Sequence, residues 1–305
     1  MVKDIGKLEK KIKELKKKRN AVILAHNYQL PEVQDVADYK GDSLELSRIA
    51  AKTNAEVILF CGVHFMAETA AILSPDKKVI MPDINAGCPM ANMLKADDLK
   101  RLKEKYPKAV TVGYVNTSAE VKAELDYCCT STNAVSVVNY LKDYKEIIFV
   151  PDKYLADYVE KKTGRKMIIW DGFCPTHIKI LPEDIKRNKI LHPFAKVMVH
   201  PECLPQVVSI ADAVFSTSLM VKFARNSEAR EFIVGTEVGL IYQLKKDNPG
   251  KEFYPASEKA VCPNMKRTTQ EKIAFALEEM VGEVRVPDDI RSRAKKSIDR
   301  MLKII

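Results

Sequence analysis

Three cysteine-proline pairs recur along the chain at nearly equal spacing. They are Cys88-Pro89, Cys174-Pro175 and Cys262-Pro263, and their cysteines lie 86 and 88 residues apart. Such regular spacing indicates that the chain contains three similar segments with one Cys-Pro pair in each. Chance does not readily produce this pattern, so we expect the three cysteines to act together. Three thiolates that meet on one axis would form a metal site that lacks one protein ligand.

The wide separation of these cysteines indicates which metal group they suit. A structural zinc site usually has four protein ligands with close pairs such as C-x-x-C, and the sequence contains no such pair. Electron-transfer clusters normally use four cysteines. Three dispersed cysteines instead suit a [4Fe-4S] cluster with one iron open to substrate, where it acts as a Lewis acid in a dehydration. The other four cysteines are predicted to be small buried apolar residues: Cys61, Cys128, Cys129 and Cys203.

Polar triplets follow three short apolar runs with the same repeat. They are His26-Asn27-Tyr28, Tyr114-Val115-Asn116 and His200-Pro201-Glu202, and their first residues lie 88 and 86 apart. Histidine, tyrosine and glutamate can transfer protons when they lie within reach of the reacting atoms. His64 and His192 have no counterpart in the repeat. His177 stays undecided, because it lies three residues after a candidate metal ligand.

Hydroxyl residues mark a third repeated position. Ser43, Ser131 and Thr217 lie 88 and 86 residues apart, and each stands just before a helical pattern. Free backbone N–H groups and the helix dipole favour an anion at such a place. Three of these positions predict a polyanionic substrate, and the alternative is that the hydroxyls are plain helix N-caps.

The elements that must position these residues are alternating strands and helices, which predict an α/β fold with parallel sheets. Ligands collect beyond the carboxyl ends of the strands in such sheets. We therefore predict three similar α/β/α domains with parallel sheets around a pseudo-threefold axis. The predicted domains are residues 1–105 with an N-terminal helix, 106–190, and 191–305 with a C-terminal helical tail whose helical pattern includes Val284 to Pro287.

Composition and charge exclude several classes of protein. The 305 residues are 46% hydrophobic and 30% charged, which is typical of folded domains. The net charge of +9 includes an N-terminal lysine run that alternates with Ile5, Leu8, Ile12 and Leu15, as in an amphipathic helix and not a nucleic-acid site. No apolar run approaches the roughly 20 residues of a membrane span. An odd count of dispersed cysteines suits reduced thiols, so a cytoplasmic location is expected.

The sequence resembles the quinolinate synthase family along nearly its whole length. The matching stretches are His26-Asn27-Tyr28-Gln29, Pro31-Glu32, Gln34-Asp35, Gly41-Asp42-Ser43-Leu44, Phe65-Met66-Ala67-Glu68, Tyr114-Val115-Asn116, His200-Pro201-Glu202-Cys203, Gly235-Thr236-Glu237 and Cys262-Pro263-Asn264-Met265-Lys266. Each stretch alone is weak, but together they are highly specific.

This resemblance implies an iron-sulfur enzyme of three similar domains around one [4Fe-4S] cluster per chain, held by Cys88, Cys174 and Cys262. The implied reaction condenses iminoaspartate (iminosuccinate) with dihydroxyacetone phosphate, losing phosphate and two waters, to give quinolinate for NAD synthesis. The resemblance also implies a functional link to an enzyme that produces iminoaspartate.

The resemblance carries over to individual site residues as well. It implies substrate binding by His26, Ser43, Tyr114, Asn116, Ser131, His200, Glu202 and Thr217, and proton transfer mainly by Tyr28 and Glu202, with His26 and His200 as further catalytic candidates. Two other functions stay open: a [4Fe-4S] hydro-lyase that acts on another small polyacid, and a nucleic-acid-binding module with a structural metal.

Overall fold

The computed structural model describes the backbone of residues 2–304 and the side chains from residue 6 to residue 304. Three α/β units follow one another along the chain, and each repeats the same order of four helices and four strands. The first unit contains α1 Val2–Lys18, β1 Ala21–His26, α2 Pro31–Val36, β2 Tyr39–Gly41, α3 Ser43–Lys52, β3 Val57–Cys61, α4 His64–Leu73 and β4 Lys78–Ile80.

The second and third units repeat this order. The second contains α5 Ala96–Lys105, β5 Val110–Tyr114, α6 Ala119–Ala123, β6 Tyr127–Cys129, α7 Ala134–Tyr140, β7 Ile147–Val150, α8 Lys153–Thr163 and β8 Ile168–Ile169. The third contains α9 Pro182–Leu191, β9 Lys196–Val199, α10 Pro205–Val208, β10 Ala213–Val214, α11 Thr217–Asn226, β11 Glu231–Gly235, α12 Leu240–Asp247 and β12 Glu252–Pro255.

Each unit has one parallel four-stranded sheet, and the three sheets have equivalent strand orders. These orders are β2-β1-β3-β4, β6-β5-β7-β8 and β10-β9-β11-β12. The central strands, such as Val57–Cys61 and Ile147–Val150, are buried along their whole length, as expected for a parallel sheet covered by helices on both faces. The predicted α/β class with three similar units is confirmed.

An aspartate ties the first strand of every unit to the loop before its neighbouring edge strand. Asp38, Asp126 and Asp212 accept hydrogen bonds at 2.8 to 2.9 Å from the backbone N–H groups of Ile23, Thr111 and Val197. These aspartates lie 88 and 86 residues apart, as the three hydroxyl residues do, and the three cysteines show the same two spacings in reverse order. The repeat therefore includes structural residues as well as candidate functional ones.

The two ends of the chain pack together and bind the units to one another. On α1, Ile12 is buried and Leu8 and Leu15 are partly buried, in a core cluster with Ile273 of α13 Gln270–Glu279. This supports the predicted amphipathic helix, although the side chain of Ile5 lies outside the described residues. The last helix, α14 Asp288–Lys303, packs against α6, β6 and α4, so it spans the first two units.

One expectation about the tail is wrong. Residues Val284 to Pro287 are not helical, and the last helix begins only at Asp288. Instead, the backbone N–H of Val284 donates to the carbonyl of Val79 at 2.9 Å, and Glu283 pairs with Ile80 in an antiparallel bridge. The backbone at Glu283 and Val284 therefore pairs with the edge strand β4 of the first sheet. Pro287 stands just before the helix, where it does not interrupt any hydrogen bond.

Candidate active site

One cavity of about 200 Å³ lies where the three units meet, and all twelve predicted site residues line it. These residues are spread along the chain from His26 to Cys262, so it is the fold that brings them together. They are His26, Tyr28, Ser43, Cys88, Tyr114, Asn116, Ser131, Cys174, His200, Glu202, Thr217 and Cys262.

The strand order gives the cavity two different ends. In every sheet the hydroxyl residue follows one edge strand, the cysteine follows the opposite edge strand, and the polar triplet follows the strand next to the first edge. We therefore distinguish a cysteine end (Cys88, Cys174 and Cys262) and a hydroxyl end (Ser43, Ser131 and Thr217). The triplet residues lie between these two ends.

At the cysteine end, each thiol receives hydrogen bonds from its own loop. In all three loops the backbone N–H groups two and three positions after the cysteine donate to its sulfur. Burial raises the pKa of Cys88 to about 12, and it also raises the pKa values of the Cys174 and Cys262 thiols. Thiolates at these positions need a cationic partner, and the N–H donors suit sulfurs that carry negative charge on a metal group.

Two further groups that could bind a metal lie beside Cys174. The sulfur of Cys174, a ring nitrogen of His177 and a carboxylate oxygen of Glu202 lie within 4.8 Å of one another. All three cysteines are free thiols and partly exposed to the cavity. The atoms of Cys174, His177 and Glu202 could together hold a metal ion, and Cys88 and Cys262 line the same cavity.

Glu202 makes close contacts with Tyr114 and His177 in the cavity. Its Oε1 accepts a hydrogen bond from the Tyr114 hydroxyl at 2.5 Å, and its Oε2 lies 2.8 Å from Nδ1 of His177. Burial alone would raise the pKa of Glu202, but His177, His200 and the Tyr114 hydroxyl together lower it to about 2. Glu202 is therefore a carboxylate at neutral pH, as a general base must be.

Tyr28 also lies beside His177, but unlike Glu202 it is protonated. Its hydroxyl is 2.6 Å from Oγ1 of Thr236 and 3.3 Å from Nε2 of His177. Burial, helped by the nearby Glu202 carboxylate, raises the pKa of Tyr28 well above its ordinary value. The Tyr28 phenol thus keeps its proton, and the cavity holds a proton donor and a proton acceptor that share His177 as a neighbour.

The two triplet histidines are neutral. Burial lowers the pKa of His26 to about 4 and the pKa of His200 to about 3, so neither carries charge at neutral pH. They can donate or accept hydrogen bonds but cannot attract an anion as cations.

Two of the three triplets contact a hydroxyl residue of another unit. Nδ2 of Asn27 in the first unit donates to Oγ1 of Thr217 in the third at 2.9 Å. Nε2 of His200 in the third unit lies 3.1 Å from Oγ of Ser131 in the second. Asn116 of the second unit lines the cavity with a buried Oδ1 that has no hydrogen-bond partner among the described residues. This amide is available to a ligand.

The three cavity hydroxyls are not helix N-caps, contrary to the alternative considered from sequence. Asp42, Asn133 and Ser216 hold the cap positions of α3, α7 and α11. Ser43 and Thr217 are each the first residue of a helix, and Ser131 lies three residues before one. Their hydroxyls are therefore not consumed by capping, because the neighbouring residues hold the cap positions.

Sequence reasoning missed three residues of the cavity region. Thr236 contacts both Tyr28 and His177, and His177, left undecided, lies within the cavity wall. Lys179 is the only lysine or arginine along the described cavity lining. The position of His177 next to a cysteine loop was a usable signal, whereas Lys179 has no lysine at the equivalent position in the other repeats.

Residues predicted to be uninvolved lie elsewhere. Cys61, Cys128, Cys129 and Cys203 are buried in the core and do not line the cavity. His64 lies 3.6 Å from Glu68 and His192 stacks on Tyr254; both are partly exposed and neither lines the cavity. Among the described helices, none combines the length and the apolar character that crossing a bilayer requires.

Comparison with known proteins agrees with this geometry. The family described as "NadA: Quinolinate synthetase A protein" matches residues 10–303. A "Quinolinate synthase" of Thermodesulfovibrio yellowstonii is 57% identical over 302 residues, covering 99% of each chain. A "Quinolinate synthase" of Dehalococcoides mccartyi strain CBDB1 is 56% identical over 295 residues, and a "Quinolinate synthase 1" of Methanosarcina acetivorans is 57% identical over 297, each covering 97% of both chains. The chain therefore belongs to the quinolinate synthase family of enzymes.

Proposed function

We propose that the protein condenses iminoaspartate with dihydroxyacetone phosphate to form quinolinate, with loss of phosphate and two waters. The observation that carries this proposal is the single cavity that combines three cysteines, three hydroxyls and an acid-base pair from three units. Two carboxylates and a phosphate match a site with several separate hydrogen-bonding groups for anions. The alternative of a nucleic-acid-binding module lacks comparable support, because the candidate groups face an enclosed central site.

We propose that Cys88, Cys174 and Cys262 hold one [4Fe-4S] cluster. Their N–H donors and their shared cavity support this assignment. When bound, such a cluster would supply an iron that acts as a Lewis acid toward a substrate oxygen. The seven free thiols suit a reducing compartment, so we keep the cytoplasm as the proposed location.

The acid-base roles in our proposal follow from the protonation states of two residues. Glu202 would remove a proton from a substrate carbon during condensation and tautomerisation, because it is ionised at neutral pH. Tyr28 would give its proton to a departing hydroxyl during dehydration, because its phenol is protonated. His177 lies next to both groups and would hold them in place.

We assign substrate recognition to the hydroxyl end with its neighbouring hydrogen-bonding residues, and to Lys179. Ser43, Ser131 and Thr217 would bind carboxylates through their hydroxyls, with His26, His200, Tyr114 and Asn116 as further hydrogen-bonding partners. Lys179 would bind the phosphate, because a lysine is a strong phosphate partner. Its side chain is exposed at the cavity wall and forms no ion pair with the described residues, so an entering phosphate could reach it and a released one could leave.

The domain limits at 105/106 and 190/191 remain proposals. They are supported by the finding that each interval contains one complete four-stranded sheet with an equivalent strand order. These limits differ from the units described above in the helices that precede the second and third sheets, because they leave α5 and all but the last residue of α9 in the preceding interval.

The direct test supplies both proposed substrates to anaerobically prepared protein and measures quinolinate and released phosphate. We expect one quinolinate per phosphate, and no product when either substrate is omitted. A protein that dehydrates another small polyacid but makes no quinolinate would instead be the hydro-lyase considered above.

A further inference from the structure

A cluster of hydrogen-bonding side chains joins all three units beside the hydroxyl end of the cavity. Oγ1 of Thr132 lies 2.7 Å from Oδ2 of Asp42 and 2.8 Å from Oγ of Ser216. Oγ of Ser216 also lies 3.2 Å from the same carboxylate oxygen. Asp42, Thr132 and Ser216 belong to the first, second and third units, and we call these three residues the clasp.

The contacts of Asp42 divide between its own unit and the other two. Its Oδ1 accepts from the backbone N–H groups of Leu44 and Glu45 at 3.0 Å, which caps α3. Among the residues that the structure describes, its Oδ2 accepts only from the hydroxyls of Thr132 and Ser216. Asp42 is 5% exposed and Ser216 is 1% exposed, so a carboxylate oxygen that lost these partners would be buried without replacement.

A further hydroxyl strengthens the contact between the first and third units. Oγ of Ser218 accepts from the backbone N–H of Asp42 at 3.1 Å and donates to Oε2 of Glu45. The first turns of α3 and α11 are thus joined by both side-chain and backbone groups. These contacts connect the three units close to the hydroxyl end of the cavity.

Every member of the clasp is the immediate sequence neighbour of one cavity hydroxyl. Asp42 precedes Ser43, Thr132 follows Ser131, and Ser216 precedes Thr217. Neighbouring Cα atoms are about 3.8 Å apart, so fixing the clasp residues limits how far the three hydroxyls can move relative to one another. Thr132 and Ser216 do not line the cavity themselves.

We propose that the clasp is a positioning device that sets the spacing of Ser43, Ser131 and Thr217 and thereby determines the affinity for dicarboxylate ligands. Thr132 is its key positioning residue, because it contacts both other members. This inference rests on the proposed function, since it assigns dicarboxylate binding to the three hydroxyls. According to this inference, the clasp affects ligand binding and does not affect the acid-base pair of Glu202 and Tyr28.

The test compares Thr132→Val with Thr132→Ser, which restores the hydroxyl, and with Thr163→Val. Thr163 is a matched control, because its hydroxyl donates within α8 to the carbonyl of Val159, away from the cavity. Quinolinate affinity is measured by calorimetry on anaerobic, iron-loaded protein, together with KM, kcat and iron content. For Thr132→Val we expect the quinolinate Kd and the KM for iminoaspartate to rise about tenfold, with kcat changed less than about threefold.

The other two variants should keep the quinolinate Kd within about threefold of the parent protein. Iron content should be equal in all four proteins. An unchanged Kd and KM in Thr132→Val would overturn the inference, and so would a loss of kcat with normal KM. Lower iron content or folded fraction with a normal Kd would show that Thr132 is merely structural.

Hydrogen exchange separates failure of this inference from failure of the proposed function. Amides at residues 42–46 and 216–220 should exchange faster in Thr132→Val than in the parent protein, because the restraint between units is weakened. Unchanged exchange contradicts the clasp whatever the ligand is. If the parent protein neither makes nor binds quinolinate, the proposed function fails, and the exchange result still decides whether the clasp restrains the units.

Discussion

The two ends of the cavity are built from the same repeat but by different means. At the cysteine end, each sulfur receives hydrogen bonds from the backbone of its own loop. At the hydroxyl end, the supporting contacts cross from one unit to another through the side chains of Asp42, Thr132 and Ser216. The backbone support of each cysteine comes from its own loop, whereas the side-chain contacts that support the hydroxyl end form only when the units meet.

This difference matches the kinds of group that we assign to the two ends. Backbone N–H donors in a short loop are held by the chain itself and suit a cofactor that stays in place. Hydroxyls positioned by contacts between units suit anions that must enter and leave. The comparison predicts that changes at the cysteine end remove the cofactor, and that changes at the hydroxyl end weaken binding.

The largest effect is expected at the cysteine end. Cys262→Ser should lose most of its iron and sulfide, and quinolinate formation should fall by more than about a hundredfold, because one of the three proposed sulfur ligands is removed. Iron and sulfide analysis of anaerobically purified protein, together with the activity assay, checks this. The control is Cys61→Ser, which changes a fully buried cysteine in β3 that does not line the cavity. Loss of iron in that control would show that the ligand assignment is wrong.

The next largest effect is expected between the two ends. Tyr28→Phe should lower kcat by about 10²- to 10⁴-fold while the iron content stays normal, because it removes only the proposed proton donor. Thr236 and His177 remain 2.9 Å apart, so each still has a polar neighbour in the variant. Steady-state rates and the absorption of the cluster measure the two quantities.

Tyr242→Phe is the matched control for this tyrosine. It removes a hydroxyl that donates to Asp35 at 2.6 Å outside the cavity, and it should behave as the parent protein does. A Tyr28→Phe variant with normal kcat would exclude Tyr28 from the proton transfers.

The smallest effect is expected at Lys179. Lys179→Gln should raise the KM for dihydroxyacetone phosphate about tenfold and leave the KM for iminoaspartate nearly unchanged, because only one substrate carries a phosphate. Lys186→Gln, an exposed lysine of α9 that does not line the cavity, should change neither value. Equal increases for both substrates would mean that Lys179 attracts anions in general and does not recognise the phosphate.

The repeat made much of this architecture predictable from sequence. Matching offsets of Cys88, Cys174 and Cys262 placed one loop in each unit, and apolar runs such as Ile147 to Val150 predicted buried parallel strands that the structure confirms. A candidate site residue that recurs at the same position in every unit can be recognised from sequence without knowing which residues contact it in the fold. All twelve predicted site residues consequently line one cavity, although their roles remain predictions.

Residues without such counterparts were not predictable in the same way. His177 and Thr236 gain their importance from contacts with Tyr28, which lies 149 and 208 residues away in sequence. The error at Val284 to Pro287 has a similar cause, since pairing with the edge strand at Val79 and Ile80 overrides the local pattern. The roles of His177 and Thr236 and the conformation of residues 284–287 depend on contacts between distant segments. Such contacts cannot be inferred from the local pattern of a single sequence.

The distribution of the cysteines over three units has a consequence for how the protein matures. A ribosome releases the Cys262 loop only after the first two units have been made, and a nascent chain that ends near residue 190 presents only two of the three thiols. A cofactor held by all three sulfurs, as proposed above, would therefore be acquired only after the third unit has been made and has docked on the other two. Cofactor loading would then report that the three units have assembled, and a product that ends before Cys262 would stay without cofactor.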